Sequence, residues 1–275
     1  PMFAHILLPV DPMAPEVAAP AMALARRLAL RADGAVTVVA VVPAWPDDLA
    51  KVPSDYGPWL DAYVDAHRGT LDMTPLLRVG GSVSGRILEA ADETGAECVV
   101  MASHDPRITD ALIGSNASHV VLHARCSVLV VRDAAADHQK PEEPMFKHIL
   151  VPVDLDHLDT SAKAMEVARG IARAEGAALT VISVQPMIAE QTDATHPDYE
   201  ARLKAYVEGL EGGPRARAEL RIGGSVSGEI RYAAQELAAD LIVMASHDPR
   251  ITDYLIGSNA AHVALHTPCS VLVVR

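Results

Sequence analysis

Short apolar runs alternate along this chain with longer stretches in which Ala, Leu and Met recur every three or four residues. His5 to Val10, Val36 to Val42, Leu76 to Val79, Cys98 to Met101 and Ser127 to Val131 have the length and aliphatic content of buried strands. Between them, Ala18 to Leu30 carries apolar residues at helical spacing. Arg26, Arg27 and Arg31 stand toward its end, where cations suit the helix dipole. Ser82 is placed to cap a helix that presents Ile87, Leu88 and Ala91 on one side. Another helical pattern covers His119 to Leu122. Trp45 to Thr70 is the least periodic part and reads as a loop followed by a helix over Leu60 to Ala66. Strands alternating with helices predict an open, doubly wound parallel sheet, an α/β fold.

The whole pattern then runs a second time. FAHILLPVD from Phe3 returns as FKHILVPVD from Phe146, and Arg78-Val79-Gly80-Gly81 returns as Arg221-Ile222-Gly223-Gly224, both at an offset of 143 residues. A register unchanged over the full length means one domain duplicated, not a short solenoid repeat. The domains are 1–132 and 146–275, and the charged, proline-bearing stretch 133–145 reads as a surface linker. In the second copy, strands are expected over His148 to Val153, Leu179 to Val184, Glu219 to Ile222, Leu241 to Met244 and Ser270 to Val274. Helices are expected over Ser161 to Ala174 and Ser225 to Leu237.

Composition narrows the picture. Half the residues are hydrophobic but only 4% are aromatic, so the cores are aliphatic, as suits parallel sheets covered by helices. A formal charge of −13 argues against nucleic acid or an anionic membrane surface as a partner, so any anion must be captured by local backbone geometry. Cys98, Cys126 and Cys269 have no CxxC spacing and read as free, buried thiols in a reducing compartment. No segment has the pattern of a signal peptide, and no apolar run reaches the ~18 residues that span a bilayer. The expectation is a soluble, cytoplasmic protein.

The most informative stretch is Met101 to Ala117, MASHDPRITDALIGSNA, which recurs from Met244 to Ala260 with one change, Ala111 against Tyr254. Each copy follows a strand and opens a helix. The first amides of a helix have no intrahelical acceptor, and the macrodipole adds about half a positive charge there. Gly114-Ser115-Asn116 and Gly257-Ser258-Asn259 therefore read as a phosphate loop present twice. A bare helix cap is the plainer reading. Against it, the two copies of this stretch are nearly identical while the Trp45 to Thr70 region has diverged freely from its counterpart.

PVD after the first strand, Gly-Gly-Ser before Arg86-Ile87-Leu88, and SHDP…LIGSNA…HV…CSVLVVR together resemble the universal stress protein family, nearly end to end and twice. The resemblance implies two Rossmann-like domains of the adenine-nucleotide alpha hydrolase type, each a five-stranded parallel sheet of order 3-2-1-4-5. It also implies an intramolecular pseudo-dimer joined through the last strands, Ser127 to Val131 and Ser270 to Val274, with pairing of whole chains left open. It implies ATP, or AMP or ADP, with or without Mg2+, at the carboxyl ends of strands one and four. Carried over, Asp11 and Asp154 stand near ribose or phosphate, and the backbone of Val41 and Val184 near adenine. The phosphate loops are then Ser103 to Asn116 and Ser246 to Asn259. One departure is plain. The family's common pattern has two early glycines, and here Ala102 and Asp105, or Ala245 and Asp248, occupy those places, with spacing one residue shorter. A carboxylate facing phosphates repels them unless a divalent cation, or Arg107 and Arg250, intervenes.

Other chemistry is weaker. His104 and His247 lie beside Ser and Asp, but neighbours on one loop rarely form a triad, and GxSxG is absent, so they read as loop histidines that bond backbone or ligand. His119 with His123, and His262 with His266, have zinc-like i,i+4 spacing but no evident third ligand. Walker and GxGxxG signatures are absent. The reading is a nucleotide-dependent sensor or regulator acting on an unidentified protein partner, with weak hydrolysis at most. The competing reading is a scaffold that binds another small molecule or a protein. The first site is flanked by Pro12, Pro15 and Pro20 and the second by a more regular segment, so the second is expected to bind better.

Overall fold

The structure is a computed structural model that describes residues 3–44, 55–103, 114–132, 143–186, 196–210, 215–246 and 256–275. The chain divides into two compact units, Pro1–Ala136 and Asp137–Arg275. In the first unit the strands are β1 (His5–Val10), β2 (Ala35–Val42), β3 (Asp72–Val79), β4 (Cys98–Ala102) and β5 (Ser127–Val131). The helices are α1 (Ala19–Ala32), α2 (Tyr56–Arg68), α3 (Val83–Thr94) and α4 (Ser115–His123), and a 3-10 turn, Pro15–Ala18, precedes α1. All pairings are parallel, in the order β3-β2-β1-β4-β5. Right-handed crossovers put α1 and α2 on one face and α3 and α4, which touch, on the other.

The second unit repeats this with α5 (Leu158–Glu175), α6 (His196–Glu208), α7 (Val226–Glu236) and α8 (Ser258–His266). Its strands are β6 (His148–Pro152), β7 (Ala178–Pro186), β8 (Ala216–Gly223), β9 (Leu241–Ala245) and β10 (Ser270–Val274), in the order β8-β7-β6-β9-β10. Each core is aliphatic, as the composition requires. Ile6, Leu7, Leu8, Val38, Val99 and Val128 are fully buried, as are Ile149, Leu150, Val181, Ile242 and Val271.

The outer strands are longer than the apolar pattern suggests. Leu76 to Val79 is the legible end of β3, which begins at Asp72, and β8 begins at Ala216 rather than Glu219. Both are edge strands, where one side of the ladder is open, so Pro75 and charged residues such as Arg217 are tolerated and break the apolar signal. Ser82 does cap α3: its Oγ accepts from the Gly85 amide at 3.2 Å, and Ser225 accepts from Gly228 at 3.1 Å. A side chain at Gly85 would stand 2.6 Å from that Oγ, which explains the glycine.

One structural device had no signal in the sequence. His5 bridges strand to helix and strand to strand, its Nδ1 at 2.9 Å from the Thr94 carbonyl and its Nε2 at 2.9 Å from Thr37 Oγ1. His148 repeats both contacts, with the Leu237 carbonyl at 2.9 Å and Thr180 Oγ1 at 2.8 Å. None of the three cysteines is in a disulfide; Cys98 and Cys269 are buried and Cys126 is half-buried, and burial, with neighbouring Cys126 adding to it, pushes the Cys98 thiol well above its usual value. Among the described residues no helix is long and apolar enough to cross a membrane.

Candidate functional site

The site begins with a proline in a central strand. Pro9 has no N–H to offer a ladder, and the β1–β4 pairing ends at Leu7↔Val99, while β1–β2 continues to Val10↔Ala40. Pro152 does the same in the second unit, where β6–β9 pairing ends at Leu150↔Ile242. The two middle strands therefore part at their carboxyl ends, at the point where the winding direction reverses. A cavity of about 370 Å³ opens there in the first unit and one of about 400 Å³ in the second.

Most of the expected residues meet in these cavities. Asp11, Val41, Ala102, Ser103, Gly114, Ser115 and Asn116 line the first; Asp154, Val184, Ala245, Ser246, Gly257, Ser258 and Asn259 line the second. His104, Arg107, His247 and Arg250 lie outside the described residues, as do Asp105 and Asp248. Val41 lies one residue past the last β1–β2 partner pair, Val10↔Ala40. The walls also contain residues without a sequence signal of their own: Val83 and Ile87 from α3 in the first cavity, Val226 and Ile230 from α7 in the second. Their role is legible only once the crossover folds α3 back over β1.

The amides left without a partner begin one residue later than the sequence suggests. Gly114 and Gly257 were expected to offer their own amides, but both are engaged: Gly114 N–H donates to the Ser103 carbonyl at 2.9 Å and Gly257 N–H to Ser246 at 2.7 Å. The returning loop closes on the end of the strand, and that bond holds the helix start in place. The next amides, of Ser115, Asn116 and Ala117, and of Ser258, Asn259 and Ala260, have no protein acceptor among the described residues, and no side chain caps either helix. Gly114 has φ −60° and ψ 153°, open to any residue, and among the described residues a Cβ there would meet only the Ser103 oxygen at 3.8 Å.

Asp11 and Asp154 shape the turns that leave the first strands. Asp11 Oδ1 accepts from the Met13 amide at 2.9 Å, and Asp154 Oδ1 from the Asp156 amide at 2.9 Å. Asp154 Oδ2 also pairs with His157 Nδ1 at 3.0 Å. In the first unit the matching residue is Ala14. The histidine pairs stack on α4 and α8 with ring centroids 4.3 and 4.5 Å apart. Among the described residues no three His, Cys, Asp or Glu side chains converge on a point.

Comparison with known proteins agrees with this geometry. The model of the universal stress protein family matches residues 2–132 and again 145–275. Universal stress protein G of Shigella flexneri is 32% identical over 143 residues, spanning 48% of this chain and 100% of that one. The Salmonella typhimurium protein of the same name is 30% identical over 146 residues, again 48% of this chain and 100% of that one. In fold, the chain is similar to a functionally unknown protein, PA1789, from Pseudomonas aeruginosa, with TM-score 0.73, 17% identity, and 99% and 92% of the two chains covered. It is also similar to a universal stress protein from Archaeoglobus fulgidus, with TM-score 0.67, 18% identity, and 98% and 96% covered. A parted strand pair, a duplicated helix start without acceptors and a family match to each half lead to one assignment: this chain belongs to the universal stress protein family and carries the family's domain twice.

Proposed function

We propose that each unit binds an adenine nucleotide, ATP or its mono- or diphosphate, and that occupancy alters the surface offered to a protein partner. The observation that carries the reading is the helix start repeated in both cavities, where the amides of Ser115 to Ala117 and Ser258 to Ala260 have no acceptor among the described residues. Amides aimed into a cavity at the positive end of a helix suit phosphate oxygens. The base then lies against the aliphatic side of each cavity, Val39, Val41 and Ile87 in the first and Ile182, Val184 and Ile230 in the second. Asp11 and Asp154, at the mouths, accept hydrogen bonds from ribose. Mg2+ would be held chiefly by the phosphates and water, because no cluster of protein ligands is gathered among the described residues.

The test is to purify the chain, release bound small molecules by heat, identify them, and titrate the stripped protein with ATP and Mg2+ by calorimetry. The reading expects an adenine nucleotide in the released fraction and saturable binding. A stripped chain that binds no adenine nucleotide contradicts it.

A further inference from the structure

The second cavity contains a polar side chain that the cradle and the mouth leave unused. Ser161, in the first turn of α5, is 5% exposed and lines the cavity, and among the described residues nothing hydrogen-bonds its Oγ. Its neighbour Thr160 is already satisfied, donating to the His157 carbonyl at 2.7 Å. With no protein partner among the described residues, that hydroxyl is left for a group entering the cavity to complete. The fold itself has no need of the hydroxyl. At the matching positions of the first unit stand Val17 and Ala18, and Ala18 is likewise 5% exposed.

The surroundings decide which kind of group Ser161 receives. Asp154 and Asp156 line the same cavity, and Asp159 lies in the first turn of α5, so a further phosphate at this end would meet carboxylates. A sugar hydroxyl fits instead, because it donates to a carboxylate and accepts from a serine. Asp154 is fixed from two sides, by the Asp156 amide and His157 Nδ1, which aims its remaining lone pairs for one hydroxyl. The adjacent hydroxyl of a vicinal pair then has Ser161 to turn to.

We infer that Ser161 is a specificity residue: with Asp154 and His157 it makes the second cavity select a ribonucleotide over its 2′-deoxy counterpart. The first cavity, with Ala18 and Ala14 in place of Ser161 and His157, accepts both alike. This rests on the nucleotide reading above. A site built around a hydroxyl rejects an analogue lacking it, because the protein group is left unpaired.

The experiment uses the full chain carrying Gly114→Asp, which closes the first cavity, titrated calorimetrically with AMP and with 2′-deoxy-AMP. AMP is expected to bind roughly tenfold tighter. Adding Ser161→Ala, which the fold accommodates as it does Ala18, should remove that preference by weakening AMP alone. Conversely, Ala18→Ser in the chain carrying Gly257→Asp should create a preference in the first cavity. Equal binding of the two nucleotides before Ser161 is changed, or a preference that survives Ser161→Ala, overturns the inference and leaves the nucleotide reading standing. Failure of the unsubstituted chain to bind either nucleotide overturns both.

Discussion

The two cavities share a floor and differ in one wall. Pro9, Val10 and Asp11, Met101 to Ser103 and Gly114 to Ala117 recur residue for residue as Pro152 to Asp154, Met244 to Ser246 and Gly257 to Ala260. The wall that follows the first strand does not recur. In the first unit it is Met13, Ala14, Val17 and Ala18; in the second it is Asp156, His157, Thr160 and Ser161. The covering helix changes with it. Tyr56 of α2 donates to the Met13 sulfur at 3.7 Å, whereas at the same positions of α6 Tyr199 and Arg202 meet Asp156 at 3.4 and 3.0 Å. Arg202 also donates to the Leu155 carbonyl at 2.7 Å, and the bond to Asp156 holds its guanidinium above its usual value. One loop is thus tied to its helix by a hydroxyl–thioether hydrogen bond and the other by charge. On the proposed reading, the shared floor is the part that would receive phosphate, and the varied wall is the part free to set what else is bound.

Several substitutions break or sharpen this comparison. The largest effect should be indifferent to it. Leu60 and Leu203 occupy matching core positions at 1% exposure, and truncating either to alanine should cost about 2–5 kcal/mol in chemical denaturation. Unequal losses would mean that the difference between the units extends into their cores. Next, Gly114→Asp and Gly257→Asp place a carboxylate at each cradle. Each should weaken its own site at least about a hundredfold, roughly 2.7 kcal/mol, and leave the other site and the melting temperature nearly unchanged. Ser225→Ala removes the cap of α7 and should cost about 1 kcal/mol, matched by Ser82→Ala in α3. The smallest effect separates the units. Arg202→Ala should weaken the second site about two- to threefold, and raising salt should mimic it, because the pair is partly exposed and screened. Trp59→Ala, at the matching position of α2, should show no such salt dependence.

How much of this was legible follows from the kind of signal each element leaves. Strands buried on both faces are unbroken aliphatic runs, so β5 and β10 match their expected bounds to the residue. The edge strands β3 and β8 carry polar residues on an open side and were read at half their length. Helix α6 left no clear trace, because Glu200, Lys204 and Arg202 interrupt the apolar stripe that Leu203 anchors. At the candidate site, the repeated Gly-Ser-Asn marks the helix starts that line the cavities but not which amides are left unbonded. Whether the glycine amide is free depends on where the loop returns, and that is a tertiary fact. The expectation that the more regular flank favours the second site also needs weighing against geometry. Asp154 has its Oδ2 engaged by His157, while among the described residues only the Met13 amide reaches the Asp11 carboxylate.

The account depends on the amides that follow each glycine, and the most direct measurement reads them. In a two-dimensional amide NMR spectrum of the isotope-labelled chain, adding ATP should move the signals of Ser115, Asn116, Ala117, Ser258, Asn259 and Ala260 downfield, as oxygens come to accept from them. The amides of Gly114 and Gly257, already bonded to Ser103 and Ser246, should move less. Saturable ATP binding that leaves those six signals in place would contradict the cradle in both halves.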